Sequence, residues 1–151
     1  MVKKTTQLHY YEAVGRRKVA VARTRLYIVG KDGHATIESN KYKAGTILVN
    51  KKNIEKVFPA ISDKVRYLTP LKLTNNEERF VISILVKGGG LQGQLEAIIL
   101  GLSRAIEKID KAEYRPTLKK AGLLRRDPRA RERRKVGTGG KARRAKQSPK
   151  R

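Results

Sequence analysis

The sequence predicts an α+β fold: a small β-sheet with helices packed on one face, followed by a long basic C-terminal extension. Apolar residues gather between residues 13 and 109 of the 151-residue chain. In that span, segments with the two-residue alternation of β-strands precede one long segment with helical spacing. The end of the chain has almost no apolar residue to bury. We therefore predict a flexible N-terminus (1–8), a globular domain (9–114) and a basic tail (115–151).

Charge is distributed unevenly along the chain. Lys and Arg total 37, and Asp and Glu total 13, which gives a formal net charge of +24. Residues 115–151 hold 16 basic and 2 acidic groups, and no acid follows Glu132. Self-repulsion of this size favours a polyanionic partner, most economically the phosphates of nucleic acid. An anionic membrane surface is the other candidate, but Val136 is the sole bulky apolar residue in the last 27.

Composition also argues against several protein classes. The chain has no Cys, which excludes disulfides and Cys-zinc sites. It has no apolar run long enough to span a bilayer, and its first residues lack the apolar core of a signal peptide. His9 and His34 show no metal-ligand spacing, and no residue pair resembles a nucleophile with its base. We predict a cytoplasmic, non-enzymatic protein without a cofactor or a metal site.

Residues 18–29 alternate as a β-strand with two different faces. The predicted core face carries Ala20, Ala22, Thr24, Leu26 and Ile28. The predicted outer face carries Val19, Val21, Arg23, Arg25 and Tyr27. Residues 30–45 are rich in turn formers and predict a loop with room for a small hairpin, and residues 46–50 predict a second strand.

The next predicted elements are shorter. Residues 54–58 predict a brief helix, with Asn50 or Asn53 as N-cap and Pro59 as its end. Residues 66–74 predict a strand at an edge or a bulge, because the segment contains Pro70. Asn75 and Asn76 supply turn residues. Residues 79–87 predict the clearest strand of the chain, with Phe80, Ile82, Ile84 and Val86 on one face.

The clearest helix is predicted from Leu91 to about Asp110. Its apolar stripe consists of Leu91, Leu95, Ile98, Ile99, Leu102, Ile106 and Ile109. In the tail, Pro116 and Gly122 predict a short helix over "PTLKKAG", and Asp127 followed by Pro128 predicts a second over "ARERRK".

Three features are candidates for phosphate contact. One side of the long helix combines small residues with cations, namely Gln94, Ala97, Gly101, Arg104, Lys108 and Lys111. A nucleic-acid backbone could approach such a surface closely and be held there by its phosphates. The alternative is that these cations are simply solvated. "VKGGGLQGQ" (86–94) leads from a strand into a helix, where backbone N–H groups meet anions. A tight turn and a mononucleotide site remain alternatives for that loop. "GRRK" (15–18) places three cations at a strand entrance, where guanidinium groups could make bidentate phosphate contacts.

Four segments resemble the bacterial form of the small-subunit ribosomal protein S-nine family, in the order of that family. They are "YYEAVGRRKVAVARTRLY", "VKGGGLQGQLEAIILGLSRAI", "LKKAGLLRRDPRARERRKVG" and "KARRAKQSPKR". The resemblance implies an α+β domain similar to the second domain of ribosomal protein S five, placed in the head of the small subunit. It also implies a tail that threads through rRNA and ends at the anticodon stem of the P-site tRNA.

The chain departs from the family pattern at three places. Residues 30–45 look like an insertion, "VGTGGKARR" is about one residue longer than usual, and Ser148-Pro149 stands where the family commonly has Phe-Ser. The predicted tRNA contacts are Lys150 and Arg151. The predicted rRNA contacts are Arg16, Arg17, Lys18, Arg23, Arg25, Lys87, Gly88, Gly89, Gly90, Gln92, Gln94, Arg104, Lys108, Arg125, Arg126, Arg129, Arg133, Arg134, Lys135, Lys141, Arg143, Arg144 and Lys146.

The resemblance implies rRNA, P-site tRNA and other head proteins as partners, with no membrane partner and no homo-oligomer. Two other classes are alternatives to it. A DNA-compacting protein often has repeated basic motifs or apolar wedges, and neither is present. A nucleotide-handling enzyme can have the same domain architecture, but the glycine-rich loop lacks the Lys-Ser or Lys-Thr of a Walker motif.

Overall fold

The computed structural model describes residues 10–30, 33–37, 40–134 and 136. The strands in chain order are β1 (Tyr10–Arg17), β2 (Ala20–Ile28), β3 (His34–Ile37), β4 (Asn40–Lys43), β5 (Ile47–Val49), β6 (Lys52–Asn53) and β7 (Phe80–Lys87). The helices are α1 (Ile54–Val57), α2 (Ile61–Leu73), α3 (Leu91–Glu107) and α4 (Lys111–Lys120). The predicted α+β class is confirmed.

One mixed five-stranded sheet organises the domain. Its spatial order is β1-β2-β7-β5-β6, and β3 pairs with β4 in a separate hairpin. Strands β5 and β7 are parallel, whereas the other neighbouring pairs in the five-stranded sheet are antiparallel. Buried residues from one face of β2 and β7 share a single apolar core with α2, α3 and α4. The helices therefore cover one face of the sheet.

The hairpin β3–β4 covers part of the opposite face. Ala35 and Ile37 from the hairpin form a second apolar cluster with Tyr27 and Val81 of the sheet. The core face predicted for β2 is confirmed except at its end, because Tyr27 is buried under the hairpin and Ile28 is 46% exposed. The region predicted as an insertion thus provides the cover for Tyr27.

Residues 66–73 belong to helix α2, so the strand predicted at 66–74 is wrong. Tyr67, Pro70 and Leu71 are the buried residues of α2, and their i, i+3, i+4 spacing is helical rather than alternating. An internal proline removes one backbone hydrogen bond and destabilises a helix by about 3 kcal/mol. Near-complete burial of Tyr67 and Leu71, each 1% exposed, offsets that loss.

Strand β1 lies unusually close to α3. A Cβ atom added at Gly15 would stand 1.9 Å from the carbonyl oxygen of Ala97 and 2.4 Å from the backbone nitrogen of Gly101. The hydroxyl of Thr24 faces Gly101 from the adjacent strand and has no hydrogen-bond partner among the described residues. Small residues at these positions allow the strand and the helix to touch through their backbones.

The core extends beyond the predicted boundary at residue 114. Helix α3 ends at Glu107. Asp110 is the N-cap of the next helix, and its Oδ1 accepts from Ala112 N and Glu113 N at 2.9 and 3.1 Å. Helix α4 therefore starts earlier than the predicted "PTLKKAG" helix and includes Pro116 as an internal residue. Leu118 is fully buried in the main core, so α4 belongs to the domain and the basic tail begins after this helix.

The end of α4 follows the predicted signal. Gly122 has φ +72°, and the N–H groups of Gly122 and Leu123 donate to the carbonyls of Lys119 and Leu118. This is the Schellman arrangement of a glycine-terminated helix. The second predicted tail helix is not formed, since residues 125–134 contain no helix. Asp127 accepts from Arg129 N at 2.9 Å as an N-cap would, but the exposed residues after it have no apolar face to pack.

Candidate nucleic-acid interface

The turn between β1 and β2 and the glycine-rich loop lie together at one end of the sheet. Arg17 pairs with Ala20 in a two-residue hairpin connection, and Lys18 at its tip has φ +51°. Gly88 contacts that turn so closely that an added Cβ would lie 2.7 Å from the carbonyl oxygen of Val19. We call this region the turn–loop end, formed by residues 18–19 and 87–92. It unites two motifs that are about 70 residues apart in sequence.

The glycines of this loop are explained by packing within the chain. Gly88 and Gly89 have φ values of +75° and +68°, which other residues rarely adopt. Gln94 Nε2 donates to the Gly88 carbonyl at 3.2 Å, and Gln92 Oε1 accepts from Arg66 Nη1 at 3.0 Å. The tight-turn alternative therefore accounts for the glycines. Gly90 caps α3 without a side-chain hydrogen bond, so phosphate contact at this helix start stays a prediction.

Three predicted cations stand on the outer face of the sheet near the turn–loop end. Register pairs Arg23 with Val14 and Leu85, and it pairs Lys87 with Val21 in the row that also contains Arg16. Arg16, Arg23 and Lys87 are all exposed. Diagonal neighbours on one face of a sheet are about 7–8 Å apart, which is within reach of long side chains. The strand pairing therefore concentrates positive charge here.

Arg25, on the same face, has partners within the protein. Its Nε donates to Glu12 Oε2 at 2.6 Å, and its guanidinium lies 4.8 Å from the ring centre of Tyr10. The hydrogen bond to Glu12 raises the pKa of Arg25. The predicted rRNA contact at Arg25 would therefore use a guanidinium that is already held in place.

The small-residue side of α3 packs against β1, so the interpretation that it admits a nucleic-acid backbone is wrong. Gly15 and its neighbours occupy the space over Ala97 and Gly101. Arg104 Nη1 donates to the Val14 carbonyl at 3.0 Å, and Lys108 Nζ donates to the Glu12 carbonyl at 2.7 Å. Because β1 is an edge strand, its outer carbonyls need such donors. Arg104 and Lys108 thus serve the fold.

Arg17 is the least exposed cation of the described chain, at 9%. Its Nε donates to Glu96 of α3, its Nη2 lies 3.1 Å from Asp127 Oδ2, and its Nη1 donates to the Arg129 carbonyl. All three guanidinium nitrogens have protein partners. The predicted role of Arg17 in rRNA contact is therefore corrected to an internal one, because its donors are used to hold residues 127–129 on the domain.

The predicted rRNA-contact cations of the tail that the structure describes are all exposed, namely Arg125, Arg126, Arg129, Arg133 and Arg134. Arg125 also borders a groove of about 640 Å³ with Arg104, Arg115 and Lys119. Sequence analysis did not single out Arg115 and Lys119, whose i, i+4 spacing in "RPTLK" was the available signal. Glu107 also lines this groove and accepts from Arg115 Nη1, so part of the positive charge is paired within the protein. The predicted sites at Lys135, Lys141, Arg143, Arg144, Lys146, Lys150 and Arg151 lie outside the described residues.

Asp127 is expected to stay ionised well into the acid range. Hydrogen bonds from the Arg129 side chain and backbone, aided by the charge of Arg17, lower the pKa of its carboxyl from the usual 3.8. A lowered folded-state pKa means that the contribution to stability is present above pH 3.8 and is lost as pH falls through the folded value. NMR titration of the Asp127 carboxyl should show a midpoint below 3.8; an ordinary midpoint would contradict the contacts.

Within the described ranges, no cluster of His, Asp or Glu could hold a metal ion. No described helix is both long and apolar enough to cross a membrane. The polar groups brought together by the fold are mainly guanidinium, ammonium and backbone N–H groups. Their chemistry suits electrostatic contact with phosphates.

Comparison with known proteins agrees with the motifs. Residues 15–151 match the family described as "Ribosomal protein S9/S16". The "Small ribosomal subunit protein uS9" of Maridesulfovibrio salexigens is 45% identical over 128 residues, which cover 85% of this chain and 87% of that protein. A match of this extent shows the family. The chain belongs to the ribosomal protein S9/S16 family and is a structural protein of the small ribosomal subunit.

Proposed function

We propose that the domain docks on small-subunit rRNA through its turn–loop end and the adjacent outer face of the sheet. The observation that carries this proposal is the contact between Gly88 and Val19, which places Lys18 and Lys87 beside the exposed start of α3. A duplex or looped RNA presents phosphates that suit such a surface, and the chain has few aromatic residues for stacking on bases. Recognition of RNA shape and backbone follows.

We further propose that the basic tail extends along rRNA and brings Lys150 and Arg151 to the anticodon stem of the P-site tRNA. No acid follows Glu132, so the tail can lie among phosphates without internal neutralisation. A contact from these two cations to tRNA phosphates carries no base information. It would stabilise any tRNA in the P site and help to maintain the reading frame in the cytoplasmic ribosome.

Deletion of Lys150 and Arg151 is the direct test of the tail's role. Subunits that carry the truncated protein are expected to assemble normally but to bind P-site tRNA more weakly, by roughly 1 kcal/mol or more for two lost charge-assisted contacts. The measurement is tRNA affinity by filter binding to reconstituted subunits. Replacement of the exposed residues Lys52 and Lys56 by Gln removes the same charge and is the control. Unchanged tRNA affinity after truncation would overturn this part of the proposal.

A further inference from the structure

Two of the chain's 13 acids are used at a single point where the tail leaves the domain. Glu96 of α3 and Asp127 of the tail both bind the guanidinium of Arg17, and Arg66 of α2 adds a longer contact of 3.6 Å to Glu96. Asp127 also receives the side chain of Arg129 at 2.7 Å and its backbone N–H at 2.9 Å. These residues connect β1, α2, α3 and the start of the tail.

The contacts of Arg17 fix both the position and the direction of residues 127–129. Its Nε and Nη1 donate hydrogen bonds to Glu96 and to the Arg129 carbonyl, and its Nη2 forms an ion pair with Asp127. A planar guanidinium can satisfy all three contacts in one orientation only. The group is almost fully buried, and two carboxylates flank it. Loss of either carboxylate would leave a buried cation short of a partner, which proteins tolerate poorly. The segment from Asp127 to Arg129 is therefore held against the domain before any RNA is present.

We propose that Glu96 and Asp127 are positioning residues that act through Arg17 to set where and in which direction the basic tail leaves the domain. This inference rests on the proposed function of the tail. The 17 residues from Lys135 onward can reach on the order of 55 Å when extended, so an error in direction at their origin becomes large at Lys150 and Arg151. A fixed origin raises the effective concentration of the tail's end at its target.

The proposal and simple electrostatics predict opposite results for Asp127→Asn. This substitution removes one negative charge, so the net charge rises from +24 to +25 (24 + 1). Charge alone predicts tighter RNA binding. The positioning role predicts that residues 127–129 are no longer held on the domain and that the tail contacts the tRNA more weakly. Arg17→Lys complements it, because the net charge is kept while the three-way geometry is lost. Glu132→Gln is the matched control, since it also removes a tail acid but at an exposed position.

Distance measurement between two spin labels tests the positioning role directly. The chain has no Cys, so Ser62→Cys in α2 and Ala130→Cys in the tail can be labelled uniquely in the full-length protein. Both positions are exposed. We expect a narrow distance distribution in the parent and in Glu132→Gln, and loss of the narrow peak in Asp127→Asn and Arg17→Lys. Circular dichroism confirms that each variant is folded. A narrow peak that persists in folded Asp127→Asn would overturn the proposal.

The tRNA measurement separates failure of this inference from failure of the proposed function. Asp127→Asn in reconstituted subunits should lower P-site tRNA affinity several-fold, whereas Glu132→Gln should leave it unchanged. Unchanged affinity in Asp127→Asn, when truncation of Lys150 and Arg151 weakens binding, would overturn the positioning role alone. If truncation has no effect while Asp127→Asn still broadens the distance distribution, the tail's proposed contact with tRNA fails and the fixed origin of the tail stands.

Discussion

Gly15→Ala is expected to destabilise the domain by about 3 kcal/mol or more, at or above the upper end of overpacking effects. The added methyl would stand 1.9 Å from the Ala97 carbonyl oxygen and 2.4 Å from the Gly101 nitrogen. Both neighbours are backbone atoms of α3, so no side-chain rotation can relieve the clash. Strand β1 would have to move away from the helix and would take with it the contacts of Arg104 and Lys108. Urea unfolding gives the free-energy difference.

Gly30→Ala is the matched control for this prediction. A Cβ atom at Gly30 meets nothing within 4 Å, and Gly30 is not among the described residues with positive φ. Its substitution should change the free energy of unfolding by no more than about 0.5 kcal/mol. If Gly15→Ala were no more destabilising than Gly30→Ala, the close backbone contact between β1 and α3 would be wrong.

Replacement of the four tail cations between residues 141 and 146 by Gln is expected to weaken rRNA binding strongly. These residues are Lys141, Arg143, Arg144 and Lys146. Each phosphate contact contributes about 0.7–0.9 to the slope of log affinity against log salt concentration, so four contacts contribute about 3–4. The slope for binding to a fragment of small-subunit head rRNA should fall by up to that amount, with a loss of affinity of roughly tenfold or more at moderate salt.

The control for this prediction has the same net charge. Four exposed lysines of the domain, namely Lys52, Lys56, Lys72 and Lys111, are replaced by Gln, so both variants have a charge of +20 (24 − 4). The domain variant should keep most of its salt dependence. Equal slopes for the two variants would show that net charge, rather than the tail, determines affinity.

The elements that sequence analysis predicted correctly are those with strong and unbroken periodicity. Strand β7 and helix α3 have apolar residues at regular two-residue or helical spacing, and the helix start follows a run of glycines. Gly122 ends α4 as predicted because its positive φ is a local requirement. Local signals of this kind predict the folded structure well, since they do not depend on which distant segment packs against them.

The failures have tertiary causes. Residues 66–74 were predicted as an edge strand, but burial of Tyr67 and Leu71 against the core stabilises a helix and outweighs the hydrogen bond that Pro70 removes. Strand β1 was not predicted, because Gly15 weakens a strand unless another backbone approaches it closely. Tyr27 looked like an outer-face residue until the hairpin β3–β4 covered it. In each case the packing partner is a different element of the fold: the core for α2, helix α3 for Gly15, and the hairpin for Tyr27.

The candidate site was predicted only in part, because it also depends on packing between segments that are distant in sequence. The spacing of Arg23 in a strand was sufficient to place it on the outer face. Arg17 and Arg16 are neighbours in "GRRK", yet strand alternation turns Arg17 toward Glu96 and leaves Arg16 exposed. The distinction between a cation that binds RNA and one that holds the tail required knowledge of where residues 96 and 127 lie.

The most direct test of the proposed function is tethered hydroxyl-radical cleavage from the end of the tail. Because the chain has no Cys, Ser148→Cys can carry a single Fe-EDTA group, and Ser62→Cys in α2 serves as the control. In reconstituted subunits with bound P-site tRNA, we expect cleavage of the tRNA anticodon stem from position 148 and none from position 62. Cleavage of rRNA from position 148 without any cleavage of the tRNA would contradict the proposed path of the tail.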